Sequence, residues 1–318
     1  MDQAAGKEAI GIDVGGTFLK AARVGDDGQL RAHIEEPVSK GSADDLLRQM
    51  QEAVRGLEGA GAARAVGVGL PGIVDASSGR LYNAPNVPVL NGLDIGRELG
   101  QRTGRPCFAE NDANAAALAE AWMGAGRGAA RLLFVTLGTG VGGALVFDGR
   151  IWGGKSGYAG EIGHLQADPR GLPCGCGSWG CVETIAGVPG WERRARKALA
   201  GRESLLSDVP LLDPATVVGA ARDGDPLALD IVDEAAAAVA MGVASALNLL
   251  NLDRVVIGGG VARAGEFLLG RIVEQARRRT FPHVFADTEF RLAELGSDAG
   301  VVGAARVGML GLPAGAAS

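Results

Sequence analysis

Ala9-Ile10-Gly11-Ile12-Asp13-Val14-Gly15-Gly16-Thr17-Phe18-Leu19-Lys20 is an apolar run that ends on an acid and a glycine pair and then resumes. Apolar segments broken by adjacent glycines predict strand, tight turn, strand. The strands are read as Ala9 to Val14 and Thr17 to Val24, with the next hairpin at Asp26-Asp27-Gly28. The pattern restarts much later in the chain. Leu132 to Leu137 reads as a strand, Gly138-Thr139-Gly140-Val141-Gly142-Gly143 as a turn, Ala144 to Phe147 as a strand and Asp148-Gly149 as a hairpin. Two β-turn-β units, each with a glycine-rich first turn, point to a duplication in which each half grips phosphate from its own side. The expected fold is therefore α/β, with two lobes facing a cleft.

Other elements fill in this frame. Ser42 and Asp45 start a helix to Leu57 with a capping-box-like pair, and Ala65 to Leu70 forms a strand that ends on Pro71-Gly72. Pro106 to Ala109 is a short strand running into Glu110-Asn111-Asp112 at the head of an alanine-rich helix, where Asp112 would serve as N-cap. The apolar run Ala235 to Leu250 is too short for a bilayer, contains Ser245 and Asn248, and reads as a buried helix. A third glycine turn, Gly258-Gly259-Gly260, closes the strand Arg254 to Ile257. The expected partition is a small lobe over residues 1–112 and a large lobe over 113–297, with a last helix at about 298–318 packing back on the first lobe.

Composition narrows the function. The chain has 318 residues, 47% of them apolar, which is enough for two modest cores. A net charge of −6 and the lack of a basic arm argue against a nucleic-acid groove. The polar start, Met1 to Glu8, lacks the apolar run of a secretion signal, so the expected location is cytoplasmic, with no membrane partner. Glycine, at 52 residues, is more than twice its usual share of about 7%, and much of the excess is expected in turns that approach a ligand.

Three of four cysteines form Cys174-x-Cys176-x-x-x-x-Cys181, and His164 lies just upstream. Three thiolates and an imidazole make a tetrahedral Zn²⁺ shell, and a closed four-ligand shell is structural rather than catalytic. The lead-in Gly160-Glu161-Ile162-Gly163 and the lead-out Val182-Glu183 set a carboxylate on each side of the ligands. Such a loop, spanning 164–183, suits the positioning of a polar substrate. Cys107 reads as core, and His33 and His283 belong to no motif.

Two glycine patterns mislead. Residues 138–143 satisfy G-x-G-x-x-G and residues 149–156 satisfy G-x-x-x-x-G-K-[ST], but both motifs require a helix whose N-terminus faces phosphate. A strand follows the first, and the glycine-rich run Gly157, Gly160, Gly163 follows the second.

Asp13 to Lys20 resembles the first phosphate motif of the actin, sugar-kinase and chaperone-ATPase superfamily. Leu137 to Gly143 resembles its second phosphate motif and Ile257 to Val261 its adenosine motif. Joined with Glu161-Ile-Gly-His164 and Cys174-x-Cys176-Gly-x-x-Gly-Cys181-x-Glu183, the set is similar to the ROK family of repressors, open reading frames and sugar kinases, in its zinc-containing, glucokinase-like branch. The resemblance implies the two-lobed actin-like ATPase (ribonuclease H-like) fold. It also implies ATP-dependent phosphorylation of a hexose with Mg²⁺, glucose being the expected acceptor. N-acylmannosamine and fructose kinases are the alternatives within that class, and a non-catalytic sugar sensor is the alternative outside it. Only twelve residues precede Asp13, too few for the DNA-binding domain of the family's repressors, which favours the kinase branch.

The resemblance also assigns roles. Asp112 would be the catalytic base for the sugar hydroxyl. Gly72, Asn111, Asp112, Glu161, His164 and Glu183 would contact the sugar. Asp13 would hold Mg²⁺ through water; Gly15, Gly16, Thr17 and Lys20 would meet the phosphates from one lobe and Gly138, Thr139, Gly140 and Gly142 from the other. Gly258, Gly259 and Gly260 would leave room for adenosine, and His164, Cys174, Cys176 and Cys181 would bind Zn²⁺. A homodimer or homotetramer is implied as well.

Overall fold

A computed structural model of the chain describes residues 8–58, 63–200 and 203–312. Residues 1–7, which carry most of the polar start, and residues 313–318, to which the last helix is expected to extend, lie outside the described residues.

The first sheet is built from β1 (Ala9–Val14), β2 (Phe18–Val24) and β3 (Leu30–Pro37), followed after helix α1 (Ala43–Leu57) by β4 (Val66–Leu70). A small hairpin, β5 (Ile73–Val74) with β6 (Leu81–Tyr82), and helix α2 (Ile95–Thr103) precede β7 (Cys107–Asn111) and helix α3 (Asp112–Met123). The strand order is β3-β2-β1-β4-β7. The first three strands form an antiparallel meander, and β1, β4 and β7 run parallel.

A second sheet repeats this plan. It uses β8 (Arg131–Leu137), β9 (Val141–Phe147) and β10 (Arg150–Ile151). Helices α4 (Val182–Ala186), α5 (Val188–Ala198), α6 (Pro214–Arg222) and α7 (Pro226–Leu250) then lead to β11 (Arg254–Gly258). After α8 (Glu266–Arg277) and α9 (Pro282–Ala286) comes β12 (Glu289–Leu292), and α10 (Ala299–Gly311) is the last element among the described residues. The order β10-β9-β8-β11-β12, with β8, β11 and β12 parallel, matches the first sheet strand for strand. This is the α/β topology expected from the two β-turn-β units.

The chain divides into two compact units, one of residues 1–128, 145–159 and 295–318, the other of 129–144 and 160–294. The division expected after Asp112 is not the one observed. Helix α3 stays with the first unit because its alanine-rich surface packs on α10, which also lies on β1 and β4. In that unit α1 and α2 cover one face of the sheet through Leu46, Met50, Ile95 and Leu99, all fully buried, each of which stabilises the fold by about 1.5–3 kcal/mol. The other face packs Val301, Val302 and Ala305 of α10 against Ala9, Ala22 and Val24.

The α10 side is unusually close. A Cβ on Gly67 of β4 would lie 2.6 Å from the Ala304 carbonyl carbon, and one on Gly11 of β1 would lie 2.6 Å from the Ala305 nitrogen. Part of the glycine excess therefore brings helix to sheet rather than turn to ligand.

In the second unit α7 is the central helix, contacting α4, α6 and α8 and burying Ile231, Val239, Val243 and Leu247. Among the described residues no helix is long and apolar enough to cross a membrane. The capping box forms as read: Ser42 Oγ accepts from the Asp45 N–H and the Asp45 carboxylate accepts from the Ser42 N–H. Neither misleading glycine pattern is followed by a helix, since residues 141–147 are strand and 153–160 are turns.

Candidate active site

Three loops at the C-terminal ends of parallel strands carry the first unit's polar residues, where α/β sheets present their ligand sites. After β1, the Gly15 N–H donates to the Phe18 carbonyl at 2.9 Å, closing the turn. Lys40 donates to the Gly16 carbonyl and the Asn86 side chain lies over Gly16. Neither residue is singled out by local sequence, because each arrives from a distant loop.

Asp13, the penultimate residue of β1, lies beside this turn and pairs in register with Lys20 of β2. Its carboxyl is pushed up to about 6, chiefly by burial and then by the Asp112 charge, with Lys20 opposing. The residue beneath it is Gly300, in the first turn of α10. A Cβ there would overlap the carboxylate, its Cγ being only 2.6 Å away.

After β4 comes Gly72, at φ 130°, where a Cβ would lie 2.8 Å from the Tyr82 carbonyl oxygen. The Gly72 carbonyl accepts from Asn111 Nδ2 at 2.8 Å. After β7, Asn111 is the N-cap of α3, its Oδ1 accepting from the Asn114 N–H at 3.1 Å. This corrects the expectation that Asp112 caps the helix. Asp112 is instead the first helical residue, and Asn111 takes the cap because β7 extends through it in extended geometry. Glu110, pushed up by burial, accepts from the Asn111 N–H and Asn114 Nδ2, each at 2.9 Å, and so fixes the cap from behind. Gly72, Asn111 and Asp112 thus share one wall, with the Asp112 charge felt at Asp13.

In the second unit the glycine turns follow β8 and β11. The Gly138 N–H donates to the Gly140 carbonyl at 2.9 Å, and β9 begins at Val141, earlier than the Ala144 expected. Gly142 and Gly143 are residues of β9, which lies between β10 and β8 in the sheet, and the 160–163 segment crosses at Gly143. A Cβ on Gly143 would lie 2.6 Å from the Gly160 carbonyl oxygen. Gly259, at φ 87°, sits against the end of β8, 2.6 Å from the Leu137 nitrogen by its would-be Cβ, while a Cβ on Gly260 would meet Arg263 Nη2 at 3.9 Å.

His164, Cys174, Cys176 and Cys181 converge, all four ligand atoms lying within 4.8 Å of one another. His164 Nδ1 is 3.6 Å from Cys174 Sγ, and Cys176 Sγ is 3.7 Å from Cys181 Sγ. Ligands at about 2.3 Å from a central ion stand roughly 3.8 Å apart in a tetrahedron, so the donor set and spacing fit Zn²⁺. Burial, then hydrogen bonding with Cys176 and Cys174, push the Cys181 thiol up to about 12, whereas hydrogen bonding from the Ser178 backbone lowers Cys176. The free imidazole nitrogen, His164 Nε2, lies 3.8 Å from Glu161 Oε2. Glu161 is raised by desolvation and by Glu183, with His164 opposing. Glu183 accepts from the Val141 N–H at 3.1 Å through Oε2, while Oε1 is 3.9 Å from Cys174 Sγ. Cys107, also raised by burial, is a half-buried strand residue beside Thr103 and apart from this cluster.

The chain is similar to known sugar kinases. A glucokinase of Halalkalibacterium halodurans is 38% identical over 306 residues, 92% of each chain. An N-acetylmannosamine kinase of Citrobacter koseri is 36% identical over 301 residues, 93% of this chain and 97% of the relative. The ROK family glucokinase of Streptomyces griseus, solved with glucose and AMPPNP, superposes with a TM-score of 0.79 at 33% identity, covering 96% of this chain and all of that one. The model of the ROK family matches residues 9–308, and with duplicated sheets, three glycine turns and a Cys₃His cluster in their expected order, the chain belongs to the ROK family.

Proposed function

We propose that the chain is an ATP-dependent hexokinase that transfers the γ-phosphoryl group to the 6-hydroxyl of glucose. The observation that carries this reading is Asp112: a carboxylate at the head of α3, oriented by the Ala113 N–H, which donates to its Oδ1 at 2.8 Å, and close enough to Asp13 to raise its proton affinity. A carboxylate so placed can accept the proton of an attacking hydroxyl, while Asp13 would hold Mg²⁺ through water. Mg²⁺ supplies charge neutralisation for the nucleotide phosphates.

The chain's own groups divide the remaining work. Gly15, Gly16, Thr17 and Lys20 would meet the phosphates from the first unit, and Gly138, Thr139, Gly140 and Gly142 from the second, with Gly258 to Gly260 leaving space for adenosine. Gly72, Asn111, Glu161, His164 and Glu183 would clamp the sugar hydroxyls, since amide, carboxylate and imidazole match groups that both donate and accept. Zn²⁺, held by His164 Nδ1 and the three thiolates, would keep Nε2 turned to the sugar. We also propose a cytoplasmic homodimer or homotetramer, on the family resemblance.

The C. koseri relative's activity on N-acetylmannosamine supports that sugar as the second reading. A coupled ADP-release assay with glucose, mannose, N-acetylmannosamine and fructose in the presence of Mg²⁺ and ATP tests both. Turnover with glucose above the others is expected, preference for N-acetylmannosamine would transfer the proposal to the second reading, and no turnover with any sugar would sink the kinase reading.

A further inference from the structure

Glu183 sits where two functions meet. Its Oε2 accepts from the Val141 N–H, the first strand residue after the 138–140 turn, and a Cβ on Gly140 would overlap the same carboxylate, 3.1 Å from its Cδ. Its backbone opens α4 two residues after Cys181, and just past that helix the Val188 N–H donates to the Gly138 carbonyl at 3.0 Å. The turn is therefore fastened at its start by Val188, the first residue of α5, and at its end by Glu183 of the short helix α4. That helix is in turn fastened to the cysteine loop: the Val182 N–H donates to the Leu165 carbonyl at 2.9 Å, next to His164. Gly163 presses on Val141 from the other side, a Cβ there lying 2.9 Å from the Val141 carbonyl carbon. A five-residue helix has little stability of its own, so its place is set by these attachments.

We propose that Glu183 is a positioning residue for the nucleotide: by holding the Val141 N–H it aligns the 138–143 turn, so that the metal loop sets nucleotide affinity even when no sugar is bound. The inference rests on the reading of that turn as a phosphate site. It is separable from the sugar role of Glu183, because the oxygen that accepts from Val141 is not the one left for a hydroxyl. Misplacement of preorganised backbone donors weakens the binding of a charged ligand out of proportion to the displacement.

The test is calorimetric binding of Mg·ADP to the full-length, zinc-loaded protein without sugar, alongside glucose binding. Glu183→Ala should weaken Mg·ADP about tenfold. Glu183→Gln, which keeps an oxygen acceptor for Val141, should recover most of that loss while still weakening glucose. Gly140→Ala should weaken Mg·ADP in the wild-type background and add little to Glu183→Ala, a non-additivity that general instability would not give. Stripping zinc should lower Mg·ADP affinity, and adding zinc back should restore it. Unchanged Mg·ADP affinity in Glu183→Ala with weakened glucose would overturn this inference and leave the sugar reading standing. Weakened Mg·ADP with unchanged glucose would support it and remove Glu183 from the sugar site. Equal losses in the Ala and Gln variants, additive effects with Gly140→Ala, or stripped protein that binds Mg·ADP as tightly as the loaded form would each overturn it.

Discussion

Asp13→Asn removes a charge and little else, since an amide has nearly the shape of the carboxylate that fits above Gly300. In the folded chain the Asp13 carboxyl lies at about 6 rather than 3.8, so the native state binds its proton more tightly than the unfolded chain does. A group raised in this way contributes stability that is complete below pH 3.8 and is lost as pH climbs through 6. The loss, roughly two pH units of displacement, amounts to about 3 kcal/mol at pH 7, most of it accumulating between pH 4 and 7. The Asn variant carries no such term. Relative to wild type it should therefore gain about 2–3 kcal/mol over that interval, or roughly 5 °C in the thermal transition. The assay is unfolding of both proteins across pH 4 to 8 without divalent cation. Curves that run parallel over the whole range would show that the carboxylate is already ionised at low pH, and the desolvation argument would fail.

Other perturbations probe the neighbouring parts. Asp112→Ala should cut kcat by roughly 10²–10⁴ while leaving glucose affinity within about tenfold, and because Asn111 is the cap, its unfolding midpoint should move by less than about 1 kcal/mol. Unfolding of that variant would return the cap to Asp112. Gly300→Ala places a methyl where the Asp13 carboxylate lies, so the Mg²⁺ concentration needed for half-maximal turnover should rise severalfold; an unaltered Mg²⁺ titration would remove α10 from the site. Cys176→Ala should abolish zinc measured by mass spectrometry and weaken glucose binding, and a zinc-free variant with native glucose affinity would break the link between loop and sugar.

What could be read in advance was whatever is encoded within a few residues. Ser42 with Asp45 makes a capping box by local geometry alone, and a cysteine cluster in a cysteine-poor chain points to metal without any knowledge of the fold. Asp112 failed as a cap for a reason of the same scale: the strand continues two residues past Ala109, which shifts the helix start by one. The contacts that fix the site are long-range. Lys40 and Asn86 reach the Gly16 turn from loops with no motif, and Gly300 is distinguished from the other glycines of α10 only by the carboxylate above it. The segment that crosses β9 at Gly143 comes from beyond its hairpin, and the unit boundary depends on α3 preferring α10 as a partner.

The two sheets share a plan but not a charge, and the difference is informative. Asp13 and Thr136 occupy matching places, each two residues before the first glycine of its turn and each in register with a glycine of the parallel neighbour, Gly69 and Gly258. Only the first carries an acid. An acid in place of Thr136 would add a charge at the head of its turn, whereas threonine offers a hydroxyl at no electrostatic cost. The acid that remains is expensive, because α10 approaches closely enough through Gly11 and Gly67 to strip its water. A fold assembled for stability alone would place an amide there, as the Asn variant would show. Retaining the carboxylate makes sense if a cation with its nucleotide repays the desolvation on binding, which ties the stability of this unit to the occupancy of its site.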